Sequence, residues 1–264
     1  MDLGLTGKVA LVTGASAGIG YAVADRLAGE GCKLIICGRN RDRLKQAEQF
    51  FQTAGIEMLS ICADVQQPND SKKLVYSALS KFGKIDILVN NSAGANFAKN
   101  EVEELSDQDW STVFEGKLLG YIRMTNLVLP TMKTQKWGRI INIVGTSGKE
   151  PSGTLIKSGV ANAGLVNFTK AVANQVAGYN ILVNCVNPGI IDTPRHQDYL
   201  ELFSKLGNKT ADEIKAGMDN KIPLGRRGEA MEVGSLVAFL ASECASYITG
   251  ISIAVDGGLS VTAF

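Results

Sequence analysis

The chain of 264 residues has a single histidine and five cysteines, and only 6% of its residues are aromatic. No apolar run approaches the roughly 20 residues that span a bilayer, so no membrane anchoring is expected. Its 27 basic and 26 acidic residues leave a formal charge of +1. Such a balance gives no long-range field toward nucleic acid or an anionic membrane. The cysteines (32, 37, 62, 185 and 244) form no CxxC pair and have no histidine cluster beside them, so no metal site is expected. Cys37, Cys62 and Cys185 fall on expected strands, which suits buried free thiols in a reducing cytoplasm better than disulfides. The first residues, Met-Asp-Leu-Gly-Leu-Thr-Gly-Lys, lack the basic and apolar pattern of a signal peptide.

What is present is an alternation. β-rich apolar runs at 8–13, 33–38, 57–62, 85–90, 138–145, 181–186 and 250–255 interleave with helical patterns at 18–29, 40–54, 69–82, 104–133, 153–177 and 229–242. Continuous apolar strands separated by helices predict a parallel sheet covered on both faces, the doubly wound α/β architecture. No linker interrupts the pattern, so residues 1–264 read as one domain, long enough to bury roughly 70–75% of its unfolded surface. One stretch, about 192–228, breaks the alternation with two short helical patterns near 196–206 and 210–219. Its position beyond a strand end predicts a substrate lid. It carries moderately apolar residues, including Tyr199, Leu202, Phe203 and Leu206, which suits a medium-sized organic ligand. The lone His196 lies there with no acid at a diagnostic spacing, which predicts a polar surface histidine.

Gly14, Gly18 and Gly20 stand between an expected strand and an expected helix. Glycine permits positive φ and close backbone approach, and the helix N-terminus behind it attracts a pyrophosphate. The second strand ends at Arg39. A carboxylate there would take a ribose 2′-hydroxyl, whereas an arginine accommodates a 2′-phosphate, so NADP(H) is favoured and NAD(H) stays possible. Ser16 or Arg41 would assist.

Thr13-Gly14-Ala-Ser-Ala-Gly18-Ile19-Gly20, Asp64-Val65, Asn90-Asn91-Ser92-Ala93-Gly94, Asn187-Pro188-Gly189 and Asp256-Gly257-Gly258 occur in that order. With Ile222-Pro-Leu-Gly-Arg-Arg-Gly and Tyr247-Ile-Thr-Gly, the chain resembles the short-chain dehydrogenase/reductase family over about residues 5–260, especially its ketoacyl-reductase-like members. The resemblance implies a seven-stranded Rossmann-type sheet, a nicotinamide cofactor, a small-molecule substrate and a homotetramer or homodimer. It implies cofactor contacts from Ser16 and Ile19 in the turn, from Asp64 and Val65 at the adenine, and from Asn90 in the cleft. Pro188, Gly189, Ile190 and Thr193 would lie at the carboxamide end.

The family works with an Asn, a Ser, a Tyr and a Lys. Counting from Trp110, from Gly138-Arg139 and from Ala163-Gly164-Leu165, those positions fall on Lys117, Gly145, Ser158 and Asn162. A serine is far less acidic than the family's tyrosine and several ångströms shorter, so Ser158 does not replace it directly. Thr146 or Ser147 would orient a carbonyl only if the strand end bends. The motif Asn90–Gly94 holds one residue more than the usual pattern. Lys117 and Asn162 read as the family's Asn–Lys pair exchanged. Lys117 shares a helical stripe with Val113, Gly120, Tyr121 and Met124. Either it enters the cleft as a proton donor or oxyanion partner, or it snorkels and fills vacated space. Lys157 is expected on another face of its helix, and Lys149 and Tyr179 take no role from sequence.

Three functions stay open: a reductase or dehydrogenase with a non-standard proton donor, a non-redox dehydratase or isomerase using Lys117, and a dinucleotide-binding protein without catalysis.

Overall fold

The structure, a computed structural model, describes residues 2–92, 101–207 and 210–262. The first half runs β1 (Val9–Val12), α1 (Gly18–Gly29), β2 (Lys33–Gly38), α2 (Arg41–Thr53), β3 (Met58–Cys62), α3 (Pro68–Phe82) and β4 (Ile87–Asn90). Then come α4 (Asp107–Val113), a π-helical turn (Phe114–Leu119), α5 (Gly120–Gln135), β5 (Gly138–Ile143), α6 (Ile156–Val176) and β6 (Ile181–Pro188). The chain closes with β7 (Ile191–Asp192), α7 (Pro194–Leu206), α8 (Ala211–Asp219), β8 (Gly228–Glu229), α9 (Ala230–Ala241) and β9 (Ser252–Val255).

Seven of the strands form one parallel sheet in the order β3-β2-β1-β4-β5-β6-β9. Successive side chains of a strand point to opposite faces. Ala10 and Val12 accordingly pack with Leu27, Val237 and Leu240 of α1 and α9. Val9 and Leu11 pack on the other face with Leu74, Met124, Val128 and Val172. Each such aliphatic side chain stabilises the fold by roughly 1.5–3 kcal/mol. The strand order reverses at β1, whose neighbours are β2 and β4, and an open α/β sheet binds its ligand in the crevice outside the strand ends at such a switch.

Local signals set the helix ends. Asn40 caps α2 by accepting from the Arg43 N–H, and α3 starts at Pro68 and stops at Gly83 in the left-handed region. Two expectations need correction. The single helix expected over 104–133 is broken: α4 passes through the π-helical turn before α5, and Lys117 lies inside that turn. Periodicity cannot show this, because one inserted residue shifts the stripe only slightly, and π-turns are rare and concentrate at functional sites. The strand expected over 138–145 ends at Ile143, because Gly145 has φ 115° and cannot continue the extended run.

The excursion at 192–228 leaves and returns through a short parallel bridge, with Ile191 paired to Gly228, and holds α7 and α8. Cys37 and Cys185 are buried, but Cys62 at the end of β3 is exposed, contrary to expectation. The cysteines are free thiols. No described helix is long and apolar enough to cross a membrane, and no metal-ligand cluster occurs among the described residues.

Candidate active site

The turn after β1 is held from behind. Asn91 donates through its backbone N–H to Thr13 Oγ1 (2.9 Å) and through Nδ2 to the carbonyls of Thr13 (3.2 Å) and Gly14 (3.3 Å). Gly14 and Gly18 have φ 65° and 58°. A Cβ on Gly20 would stand 2.3 Å from the Gly14 carbonyl oxygen, so only glycine fits there. In front, α1 begins at Ala17 without a side-chain cap and without an acidic residue in its first turn. An uncapped helix N-terminus of this kind, beside the crevice, suits an anion.

That crevice is a cleft of about 1320 Å³ lined by Gly14, Ser16, Gly18, Ile19, Arg39, Asp64, Val65 and Thr193, all anticipated from sequence. A volume above the usual 300–1,000 Å³ of small-ligand pockets suits an extended ligand such as a dinucleotide. At its β2 end stand Arg39, Asn40 and Arg43; Arg41 does not join them. Arg39 is 62% exposed and lies 3.9 Å from Asp64, a loose pair that leaves its guanidinium open to another anion. The uncapped helix end, the glycine cradle and the arginines together fit a dinucleotide phosphate chain.

The chemistry-bearing residues gather past the end of β5. The π-helical turn brings part-buried Lys117 to the strand end, where Nζ donates to the Val144 carbonyl at 2.5 Å. Burial, and then the positive charge of Arg195, push the Lys117 pKa down to about 7, with Cys185 acting weakly against them. Tyr121, one turn on, is buried, and its hydroxyl lies 3.0 Å from the Ile143 carbonyl and 3.1 Å from that of Ser92. The chain then enters a 3₁₀ turn, Thr146–Gly148. This bend carries Ser147 to Asn162, whose Nδ2 donates to Ser147 Oγ at 2.9 Å. The Oδ1 of Asn162 is buried with no hydrogen-bond partner among the described residues. A Cβ on Gly145 would meet Asn162 Nδ2 at 3.2 Å.

Residues 14–260 match the family described as Enoyl-(Acyl carrier protein) reductase. The chain is 35% identical over 253 residues to the NADPH-dependent reductase BacG of Bacillus subtilis, covering 95% of this chain and 97% of that protein. It is 38% identical over 260 residues to the 3-oxoacyl-[acyl-carrier-protein] reductase FabG of Aquifex aeolicus, covering 98% and 100%. The crystal structure of L-sorbose reductase from Gluconobacter frateurii, complexed with NADPH and L-sorbose, superposes with a TM-score of 0.93 at 33% identity, covering 99% and 100%. The chain belongs to the short-chain dehydrogenase/reductase family.

Within this short-chain dehydrogenase/reductase fold, several anticipated residues lie elsewhere than sequence placed them. Asn90 is fully buried and donates to Asn142 Oδ1 (2.9 Å) beneath the site, while its neighbour Asn91 faces the cleft. Strand alternation explains the exchange, since adjacent residues point to opposite faces. Pro188 ends β6, Gly189 and Ile190 follow it, and all three lie outside the cleft lining; Gly189 packs on Asp256, where a Cβ would be 2.6 Å away. Lys157, expected on another face, lines the cleft, and its buried amine lies 3.4 Å from Asp109. Ser158, one turn before Asn162 on α6, is part-buried; like Lys117, Ser147 and Asn162 it lies outside the residues that line the cleft. His196, expected at the surface, is part-buried, with Nε2 enclosed and without a hydrogen-bond partner among the described residues. Burial and then Arg227 lower its pKa. Ala93 and Gly94 of the lengthened motif lie outside the described residues. Sequence reasoning missed Asn91, Arg43, Lys157 and Arg195. Arg43 had a signal, one turn of α2 beyond the capping Asn40; the others depend on which face each element turns inward.

Proposed function

We propose that the chain is an NADPH-dependent reductase of a carbonyl-bearing small molecule, with Lys117 as the proton donor. The observation that carries this reading is the Lys117 ammonium, held at the strand end by the Val144 carbonyl with a pKa of about 7. An acid with a pKa near the working pH gives the best compromise between being protonated and giving the proton up.

In this reading the four family positions carry Lys117, Gly145, Ser158 and Asn162. The glycine turn and Arg39 hold the cofactor by its pyrophosphate and 2′-phosphate, with Asp64 and Val65 along the adenosine side. Bound there, a reduced nicotinamide would supply the hydride that the carbonyl carbon takes. Lys117 delivers the matching proton to the carbonyl oxygen, leaving an alcohol and a neutral amine that solvent reprotonates. Asn162 and Ser147, hydrogen-bonded to each other, orient the substrate oxygen. Residues 1–264 act as one domain, and α7–α8 form a lid that excludes water. Exposed Leu224, Tyr247 and Val261 give the domain apolar surface for a homodimer or homotetramer in the cytoplasm.

The test is NADPH oxidation over a broad carbonyl panel. Lys117→Met is expected to lower turnover by roughly 10²–10⁴-fold, the usual contribution of general acid catalysis, while NADPH affinity changes little. A wild type that binds NADPH but never oxidises it, or a Lys117→Met variant with unchanged turnover, overturns the reading.

A further inference from the structure

The cleft has a second wall that the glycine turn does not supply. Helix α7 opens against that turn: a Cβ on Gly18 would lie 3.4 Å from Cβ and Cγ2 of Thr193, the residue that caps α7. Two residues further on, Arg195 lines the same cleft as Gly14 and Gly18. Its place along the cleft is intermediate. It is within electrostatic reach of Arg39 at the β2 end and of Tyr121 and Lys117 at the other. Asp198, one turn along α7, lines the same cleft.

In a dinucleotide laid across the switch point, the group between the 2′-phosphate and the nicotinamide is the pyrophosphate, seated on the glycine turn. We propose that Arg195 is the opposing jaw of the pyrophosphate site, so that α7 clamps the cofactor from above while the backbone N–H groups of α1 hold it from below. This rests on the cofactor reading above and assigns a side chain that the glycine motif does not predict. Arginine suits the task because its planar fork takes two phosphate oxygens at once. It also ties the excursion at 192–228 to the cofactor, so binding the pyrophosphate positions the lid.

Calorimetry with three probes separates the sites: NADPH, NADH and adenosine 2′-monophosphate, which has the 2′-phosphate but no pyrophosphate. Arg195→Met is expected to weaken NADPH and NADH by the same factor, about tenfold or more, the scale of a charge-assisted hydrogen bond, and to leave adenosine 2′-monophosphate unchanged. Arg195→Lys is expected to restore part of the loss. Arg39→Met is expected to do the reverse, weakening NADPH and adenosine 2′-monophosphate but not NADH. If Arg195→Met weakens NADPH alone, weakens adenosine 2′-monophosphate, or changes nothing, the pyrophosphate assignment is overturned while the cofactor reading stands. A folded wild type that binds neither dinucleotide overturns both.

Discussion

Strands β1 and β5 lie in the same sheet with β4 between them, and just beyond each stands a glycine with positive φ: Gly14 at 65° and Gly145 at 115°. The two glycines present opposite polarity. After β1 the carbonyls of Thr13 and Gly14 are turned back onto Asn91, and the uncapped N-terminus of α1 stands beside the crevice, a surface that suits an anion. After β5 the Val144 carbonyl, in the peptide that precedes Gly145, accepts from the Lys117 ammonium, a surface that holds a cation. The same backbone freedom builds a surface that suits an anion at one strand end and one that holds the Lys117 cation at the other. The sheet supplies two strand ends one strand apart, and the residues beyond each decide the chemistry.

The largest expected effect breaks the first half of this contrast. Gly18→Val puts a β-branched side chain at φ 58° and toward Thr193 at 3.4 Å, where strain of order 1–3 kcal/mol is expected. More important, its methyl groups occupy the approach to the pyrophosphate. NADPH binding should fall below detection by calorimetry while the far-ultraviolet circular dichroism stays native. Retained affinity in a folded variant would make the turn purely structural.

The β1 end was legible in the sequence because its message is local: three glycines at fixed spacing between a strand and a helix. The sheet was legible for a similar reason, since apolar runs such as Leu34–Cys37 and Ile181–Val186 are continuous. The β5 end was only half legible. The residue types Lys117, Gly145 and Asn162 stood out, but their arrangement depends on a π-helical turn and a 3₁₀ turn that leave no periodic trace. Lys157 and Arg195 escaped because their places in the cleft lining follow from how α6 and α7 are rotated against it. That rotation is set by packing between elements far apart in sequence.

A smaller effect sharpens the second half. If the ammonium of Lys117 is the proton donor, turnover should be highest below pH 7 and fall as pH rises through about 7, the value to which burial lowers its pKa. The Val144 carbonyl favours the protonated form, because a hydrogen bond to a charged group stabilises that charge. Gly145→Ala is strained at φ 115°, and relieving that strain rotates the peptide bearing this carbonyl. Loss of the bond, worth about 1.5–3 kcal/mol, should move the fall in turnover toward lower pH by about one unit or more. A pH profile in Gly145→Ala that coincides with that of the wild type would show that the carbonyl does not hold the donor.

The smallest effect runs against the activity loss, and its sign follows from linkage. Lys117 has a folded-state pKa of about 7, below the ordinary value near 10.4 expected for the unfolded chain. Between those values the unfolded state binds more protons than the folded one, so this residue's contribution to stability rises with pH. Its destabilising effect is complete below about pH 7 and disappears as pH approaches the unfolded-state value. Lys117→Met keeps most of the side-chain volume and removes the charge. The variant should therefore be more stable than the wild type at pH 6.5, by an amount on the order of 1–2 kcal/mol once partial exposure is allowed for. The difference should shrink toward zero by pH 10, as read by urea unfolding at several pH values. The β1 end offers no counterpart, because its glycines carry no charge to titrate. A variant less stable than the wild type at pH 6.5 would mean that the Val144 bond outweighs desolvation. Lys117 would then be a structural anchor of the β5 end rather than a group held there, at a cost in stability, for its proton.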